Sequence, residues 1–134
     1  MSSPLPPPRN FRPGAFAYHD EIELVIVGLD DLGCGYGIER GVRVLVPFTL
    51  PGEKVRARIY ANRSTHSDAD LMAILEPSPD RVKPVCSLFG QCGGCQFQQW
   101  DYAAQLRWKH AQVKKLFEAI APGVDVNSVI ASPR

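Results

Sequence analysis

No stretch of the chain approaches the roughly 18 uninterrupted apolar residues that a membrane-spanning helix requires. The first 17 residues carry Pro4, Pro6, Pro7, Pro8 and Pro13 where a secretory signal would need an apolar core. Together these features predict a cytoplasmic protein without a membrane partner. Cysteine is scarce: there are four in 134 residues, and Cys86, Cys92 and Cys95 fall within ten positions. In a reducing compartment that clustering argues for a metal or cluster and against a scaffold of disulfides. No internal repeat of fixed period is present. A dominant sign of charge is also missing, with 15 Lys and Arg against 14 Asp and Glu and a net charge of +1.

What is there is an ordinary globular composition, 45% hydrophobic and 22% charged, enough for one core and a small satellite. The near-neutral total is a sum over blocks: +2 over residues 1–16, −5 over 17–35, +4 over 36–63, −4 over 64–80, +5 over 81–117 and −1 over 118–134. A polyanionic partner responds to local potential, so the two basic blocks keep nucleic acid in consideration.

Residues 1–17 read as a disordered proline-rich tail, because proline removes donors and favours extended chain. From Glu21 the pattern becomes strand-like, with Ile22, Leu24 and Ile26 alternating with Glu23 and Val25. A glycine-dense turn region, 28–37, leads to a second strand-like run ending at Pro47. Leu50-Pro51-Gly52-Glu53 is a turn with proline placed to start it. The clearest alternation follows: Val55, Ala57, Ile59 and Ala61 on one face, and Lys54, Arg56, Arg58, Tyr60 and Asn62 on the other. A polar loop over 62–68 precedes a last strand over 69–76. Five short strands joined by Gly and Pro turns predict a mainly β fold, a small five-stranded OB-like barrel spanning 18–77. A linker and cysteine-rich loop, 78–97, comes next. One amphipathic helix over 98–121 has Asp101 as its N-cap, Pro122-Gly123 as its stop, and Tyr102, Leu106, Val113, Leu116, Phe117 and Ile120 along one stripe.

Three features carry chemistry. The glycine loop follows an apolar strand, but a dinucleotide site needs a helix N-terminus directly afterwards, and residues 38–48 are strand-like. Its glycines are expected to supply positive φ at a barrel corner. The cationic face is the second feature. An isolated run of alternating Lys and Arg is more often a solvated face, but here Arg40, Arg43 and Arg63 join Lys54, Arg56 and Arg58, and Tyr36, Phe48 and Tyr60 offer stacking platforms. Cations for phosphates beside aromatic faces for unpaired bases suit single-stranded or looped RNA. The third and most specific feature is Cys86-x5-Cys92-Gly93-Gly94-Cys95. Thiolates this close are seldom a packing device, and they suit structural zinc or iron-sulfur iron. A fourth ligand is required, and Cys34, His66 and His110 stand elsewhere in the sequence.

These features occur in a recognisable order. Residues 21–76, with Gly28, Gly33-x-Gly35-x-Gly37, Val46-Pro47-Phe48 and Leu50-Pro51-Gly52-Glu53-x-Val55, resemble a TRAM domain, a small RNA-binding β-barrel. Cys86-x5-Cys92-Gly93-Gly94-Cys95-x2-Gln98, followed by Tyr102, Gln105-Leu106 and Lys109, resembles the iron-sulfur segment of the RNA uracil-5-methyltransferases, which modify ribosomal and transfer RNA. Ser132-Pro133-Arg134 resembles the start of the family's segment leading into its central domain. The resemblance implies that Cys86, Cys92 and Cys95 are three of four ligands of a [4Fe-4S] cluster. It implies an RNA-binding surface including Arg40, Arg43, Lys54, Arg56, Arg58, Tyr60 and Arg63. It also implies a S-adenosylmethionine-dependent catalytic domain absent from this chain, with 122–134 as the truncated beginning of the central domain.

The expected protein is therefore the N-terminal module of such an enzyme, a monomer inactive by itself. A different class, a free-standing TRAM protein with a structural zinc site completed by His110 or His66, is the competing reading. A radical methylthiotransferase also combines TRAM with a cluster, but such enzymes resemble a Cys-x3-Cys-x2-Cys pattern with TRAM at the C-terminus.

Overall fold

The computed structural model describes residues 5–133; the first four residues of the expected tail and the Arg134 of the closing motif lie outside the described residues. The chain divides into two compact units between Pro79 and Asp80.

The first unit is built from strands β1 (Glu21–Val25), β2 (Gly28–Leu29), β3 (Gly35–Glu39), β4 (Val42–Val46), β5 (Lys54–Asn62) and β6 (His66–Glu76). They form one sheet in the order β1-β5-β6-β4-β3-β2. All pairs are antiparallel except β4 with β6, which is parallel. Six strands are observed where five were expected, because β1 and β2 are two halves of one bent strand. At the bend Ile26 donates to Glu53 O at 2.8 Å and accepts from Gly52 N at 2.7 Å, and Val27 then donates to Tyr36 O at 2.9 Å. The bent strand thus pairs with β5 through its first half and with β3 through its second, and the ring of pairing closes. Counted that way, the five-stranded OB-like barrel of the sequence reading is the observed fold.

Alternation explains the interior. Ile22, Leu24, Ile26, Val44, Val46, Val55, Ala57, Ile59 and Ala69 point inward and form the core. The first part of strand β3, residues 35–37, falls in the stretch read as a glycine turn region, since its alternate positions are glycines. Gly35 and Gly37 face inward, where an added Cβ would overlap the Thr49 hydroxyl and the Val25 carbonyl respectively. The glycines are therefore needed for close approach, and only Gly33 among those of the loop takes positive φ, at 84°. The hairpin from β3 to β4 turns on Arg40 and Gly41, both with positive φ, the geometry that matches the twist of paired strands.

Two further boundaries differ from expectation. Strand β6 begins at His66, because Ser67 and Ala69 point inward while His66, Asp68 and Asp70 alternate outward, and the polar loop shrinks to 63–65. The N-terminal segment is not loose along its whole length. Phe16 is buried in the barrel core, and the side-chain amide of Asn62 donates to the carbonyls of Arg12 and Phe16 at 3.0 and 2.9 Å. A shift of register between Ile59 and Ala61 turns Asn62 inward to make those bonds, off the cationic face assigned to it by strict alternation.

In the second unit, helix α1 runs from Tyr102 to Ile120, with the Asp101 carboxylate capping Ala104 N–H at 3.4 Å as the sequence suggested. Phe97 packs edge to face on Trp100 and Trp108 at its start, and the two indoles tilt against each other. The Gln105 amide ties this turn together by donating to the carbonyls of Phe97 and Trp100, both at 2.9 Å. The expected apolar stripe is only partly covered: Leu116, Phe117 and Ile120 remain exposed.

Candidate nucleic-acid interface and cysteine loop

The barrel's outer surface is decided by which strands lie beside β5. Arg58 stands opposite Glu21 on β1 and Asp70 on β6, Arg56 opposite Glu23, and Lys54 opposite Glu76. Glu23 closes ion pairs with Lys54 at 3.6 Å and Arg56 at 3.8 Å. The basic strand is therefore flanked on both sides by the acidic segments that precede and follow it in sequence. Cross-strand carboxylates offset its charge, and a phosphate approaching Lys54, Arg56 or Arg58 also meets the field of Glu21, Glu23, Asp70 and Glu76.

The remaining expected cations have different surroundings. Arg40 is half-exposed but committed inward along the chain: its guanidinium donates to Ala15 O at 3.0 Å, pairs with Asp20 at 3.6 Å and lies over the Phe16 ring. It holds the N-terminal segment. Arg43 lies 4.1 Å from the centre of the Tyr36 ring on the exposed face of β3 and β4, a flat cationic surface with an aromatic floor. Arg63 donates to Asp68 at 2.9 Å, and His66 reaches the same carboxylate at 3.1 Å. Tyr60, 41% exposed, keeps its hydroxyl proton beyond the ordinary value because of partial burial and the carboxylates of Asp68 and Asp70.

Beside Tyr60 the structure opens a groove of about 620 Å³, lined among others by Phe11, Arg12, Tyr18, Tyr60, Asn62 and Arg63. Phe11, Arg12 and Tyr18 were missed because they sit in or just after the stretch read as tail. The signal was present: Phe11, Phe16 and Tyr18 make that stretch rich in aromatics, which is unlike a disordered segment.

A buried carboxylate underpins the turn before β5. Pro51 and Gly52, the latter at φ 87°, form the tight turn, and Glu53 is fully buried. Its Oε1 accepts from Leu50 N–H at 2.6 Å and its Oε2 from Ser78 N–H at 3.3 Å. This glutamate serves folding, not chemistry.

Cys86, Cys92 and Cys95 are free and exposed on a turn-rich loop, where Cys86 N–H donates to the Gln98 side chain at 3.0 Å. The donor chemistry suits a cluster, since three thiols stand on one short loop with Gly93 and Gly94 between two of them. Among the described residues, however, no group of three or more His, Cys, Asp or Glu side chains is gathered as a metal would require. Of the two histidines of the zinc reading, His66 has both ring nitrogens engaged and His110 has one. His66 uses one ring nitrogen on Asp68 and the other on Thr65, and His110 Nε2 lies 3.1 Å from Val126 O. Cys34 is unsuited to nucleophilic work, as burial first, then Asp30 and Asp68, push its thiol up to about 11. No helix among the described residues is long and apolar enough to cross a membrane.

Known proteins similar to this chain are RNA methyltransferases. No family model matches the chain. An uncharacterised RNA methyltransferase of Chlorobaculum tepidum is 42% identical over 118 residues, 85% of this chain and 24% of the relative. The 23S rRNA (uracil(1939)-C(5))-methyltransferase RlmD of Tolumonas auensis is 38% identical over 100 residues, 75% of this chain and 23% of that enzyme. The chain is homologous to the RNA uracil-5-methyltransferases. The crystal structure of the Pyrococcus abyssi tRNA (uracil-54, C5)-methyltransferase, in complex with S-adenosyl-L-homocysteine, superposes at a TM-score of 0.54 with 30% identity, over 71% of this chain and 21% of that one. The chain thus spans about a quarter or less of these uracil-5-methyltransferases.

Proposed function

We propose that this chain is the RNA-binding, cluster-bearing N-terminal module of a cytoplasmic, S-adenosylmethionine-dependent RNA uracil-5-methyltransferase, acting as a TRAM domain followed by an iron-sulfur loop. The observation that carries this reading is the conjunction of homology to such enzymes with a closed five-stranded barrel placed directly before three clustered cysteines. Ribosomal and transfer RNA are both represented among the relatives' substrates, and a single-stranded or looped region of either fits the barrel's aromatic and cationic surface.

The division of labour follows from the geometry. Arg43 over Tyr36, together with Tyr60, contributes most of the RNA contact, and Arg63, held by Asp68, lies at its rim. Lys54, Arg56 and Arg58 contribute little because neighbouring carboxylates offset them, and Arg40 acts by holding the N-terminal segment in place. Cys86, Cys92 and Cys95 hold three corners of a [4Fe-4S] cluster, whose ligation supplies a staple for a loop with few packing contacts of its own. Methyl transfer from S-adenosylmethionine belongs to parts of such enzymes that this chain does not cover. Its own cysteines offer three exposed thiols for the cluster and one thiol kept protonated.

Two measurements test the reading. The 134-residue polypeptide should bind unpaired RNA with an affinity that falls steeply with salt; no binding at low salt would refute the RNA assignment. After anaerobic reconstitution it should retain iron and sulfide poorly, having three thiolates for a four-iron centre. Tight zinc at one per chain would favour the structural-zinc protein instead.

A further inference from the structure

We propose that the groove between the N-terminal segment and the β5–β6 turn is a docking site for one flipped-out, unpaired nucleotide of the RNA, its base stacked on Tyr60 and Tyr18 and its phosphate taken by Arg12. The inference rests on the RNA-binding reading and adds a site to it that comes from the segment preceding the barrel strands.

Four observations carry it. The groove's volume, about 620 Å³, lies within the range of roughly 300–1,000 Å³ typical of small-ligand sites. Its walls are held by contacts within the chain. The Asn62 amide pins the segment through the Arg12 and Phe16 carbonyls, and Gly14 approaches so closely that an added Cβ would stand 2.8 Å from Asn62 Cγ. Tyr18 is held by ring contacts on two sides, stacked on His19 at 3.9 Å and edge-on to Phe11 at 5.3 Å, with His19 itself in a positive-φ conformation. A fixed aromatic surface stacks on a base at little entropic cost.

The charge pattern points the same way. Among the described residues of the barrel unit, Lys54, Arg56, Arg40 and Arg63 are each in an ion pair. Arg12, like Arg9, Arg43 and Arg58, is in no ion pair, and of these four it is the one that lines the groove, with its backbone anchored by Asn62. The chemistry offered is thus a neutral aromatic surface, one unneutralised guanidinium, and Arg63 fixed at the rim by Asp68. An unpaired nucleotide supplies the matching π-face and phosphate. The acidic flank of β5 disfavours the alternative path across the basic strand.

The test uses the full 134-residue chain and a short looped RNA carrying 5-iodouridine at unpaired positions. Binding is measured by filter titration and photocrosslinks are mapped by mass spectrometry. Tyr60→Ala and Arg12→Glu should each weaken binding about tenfold, and only the Arg12 change should flatten the salt dependence. Tyr60→Phe should bind far closer to wild type than Tyr60→Ala, which separates stacking from a folding defect, and Lys54→Gln with Arg56→Gln should weaken binding less than either groove substitution. Crosslinks should map to Tyr18 or Tyr60. RNA binding that survives both groove substitutions, with crosslinks at Tyr36 or in the cysteine-helix unit, would overturn this site while leaving the RNA reading intact. An absence of binding by the wild-type chain would overturn both.

Discussion

The two units of the chain are stabilised by different means. In the barrel, ten side chains from the bent first strand, its neighbours and Phe16 form one buried cluster, and backbone pairing closes on itself. In the second unit, a 19-residue helix buries only Ala104 from its own length, while Leu116 and Ile120 stay 64% and 80% exposed and the three clustered cysteines lie on the surface. The first unit has the contacts to fold by burial alone. The second is ordered by an aromatic knot around Trp100, a cap and a few backbone bonds, and its loop has room for the ordering that ligation would add.

That contrast can be broken in several ways. The largest expected effect is in hydrogen exchange: in the iron-free chain, the amides of β5 should be protected by orders of magnitude more than those of residues 85–97. Equal protection would mean that the cysteine loop is as self-sufficient as the barrel. Next, Ile59→Ala should cost about 3 kcal/mol in urea unfolding, since it empties a fully buried site, whereas Leu116→Ala should cost less than about 0.5 kcal/mol. A large loss at Leu116 would show that the exposed stripe is covered in solution.

Thiol chemistry sharpens the same difference. At pH 8 Cys34 should react with a disulfide reagent roughly a hundredfold more slowly than an ordinary thiol, while Cys86, Cys92 and Cys95 react promptly. Because the folded state holds the Cys34 proton to about 11 and the unfolded chain releases it near the ordinary 9.0, the contribution of this group is present below pH 9 and is lost as pH rises toward 11. A barrel whose stability rises over that window would contradict the assignment. Smaller than the Ile59 effect, Glu53→Gln should destabilise the barrel by about 2 kcal/mol through weaker bonds to Leu50 and Ser78, with no effect on the cysteine loop.

Much of this was legible in the residues. The alternation in β5, the Pro-Gly turn before it and the Asp101 cap are local signals, and each appears where its pattern placed it. The start of strand β3 was hidden because its inward positions are glycines, which carry no hydrophobic signal and are required only by the proximity of Thr49, Val25 and Leu24. The docking of Phe16 was hidden by the prolines around it. Asn62 was misplaced because a register shift breaks the period of two.

The interface was the least legible. Block charges along the chain suggested separate acidic and basic regions, but antiparallel pairing sets β1 and β6 on either side of β5, so the blocks that alternate in sequence meet across the sheet. By itself the sequence determined the local periodicities, the turns, the helix cap and the three clustered thiols, because each of these depends on residues a few positions apart. Only the tertiary structure decided which cations keep an unopposed charge and which aromatics share a groove, because those properties depend on strand order and on a 50-residue reach from Asn62 back to Arg12.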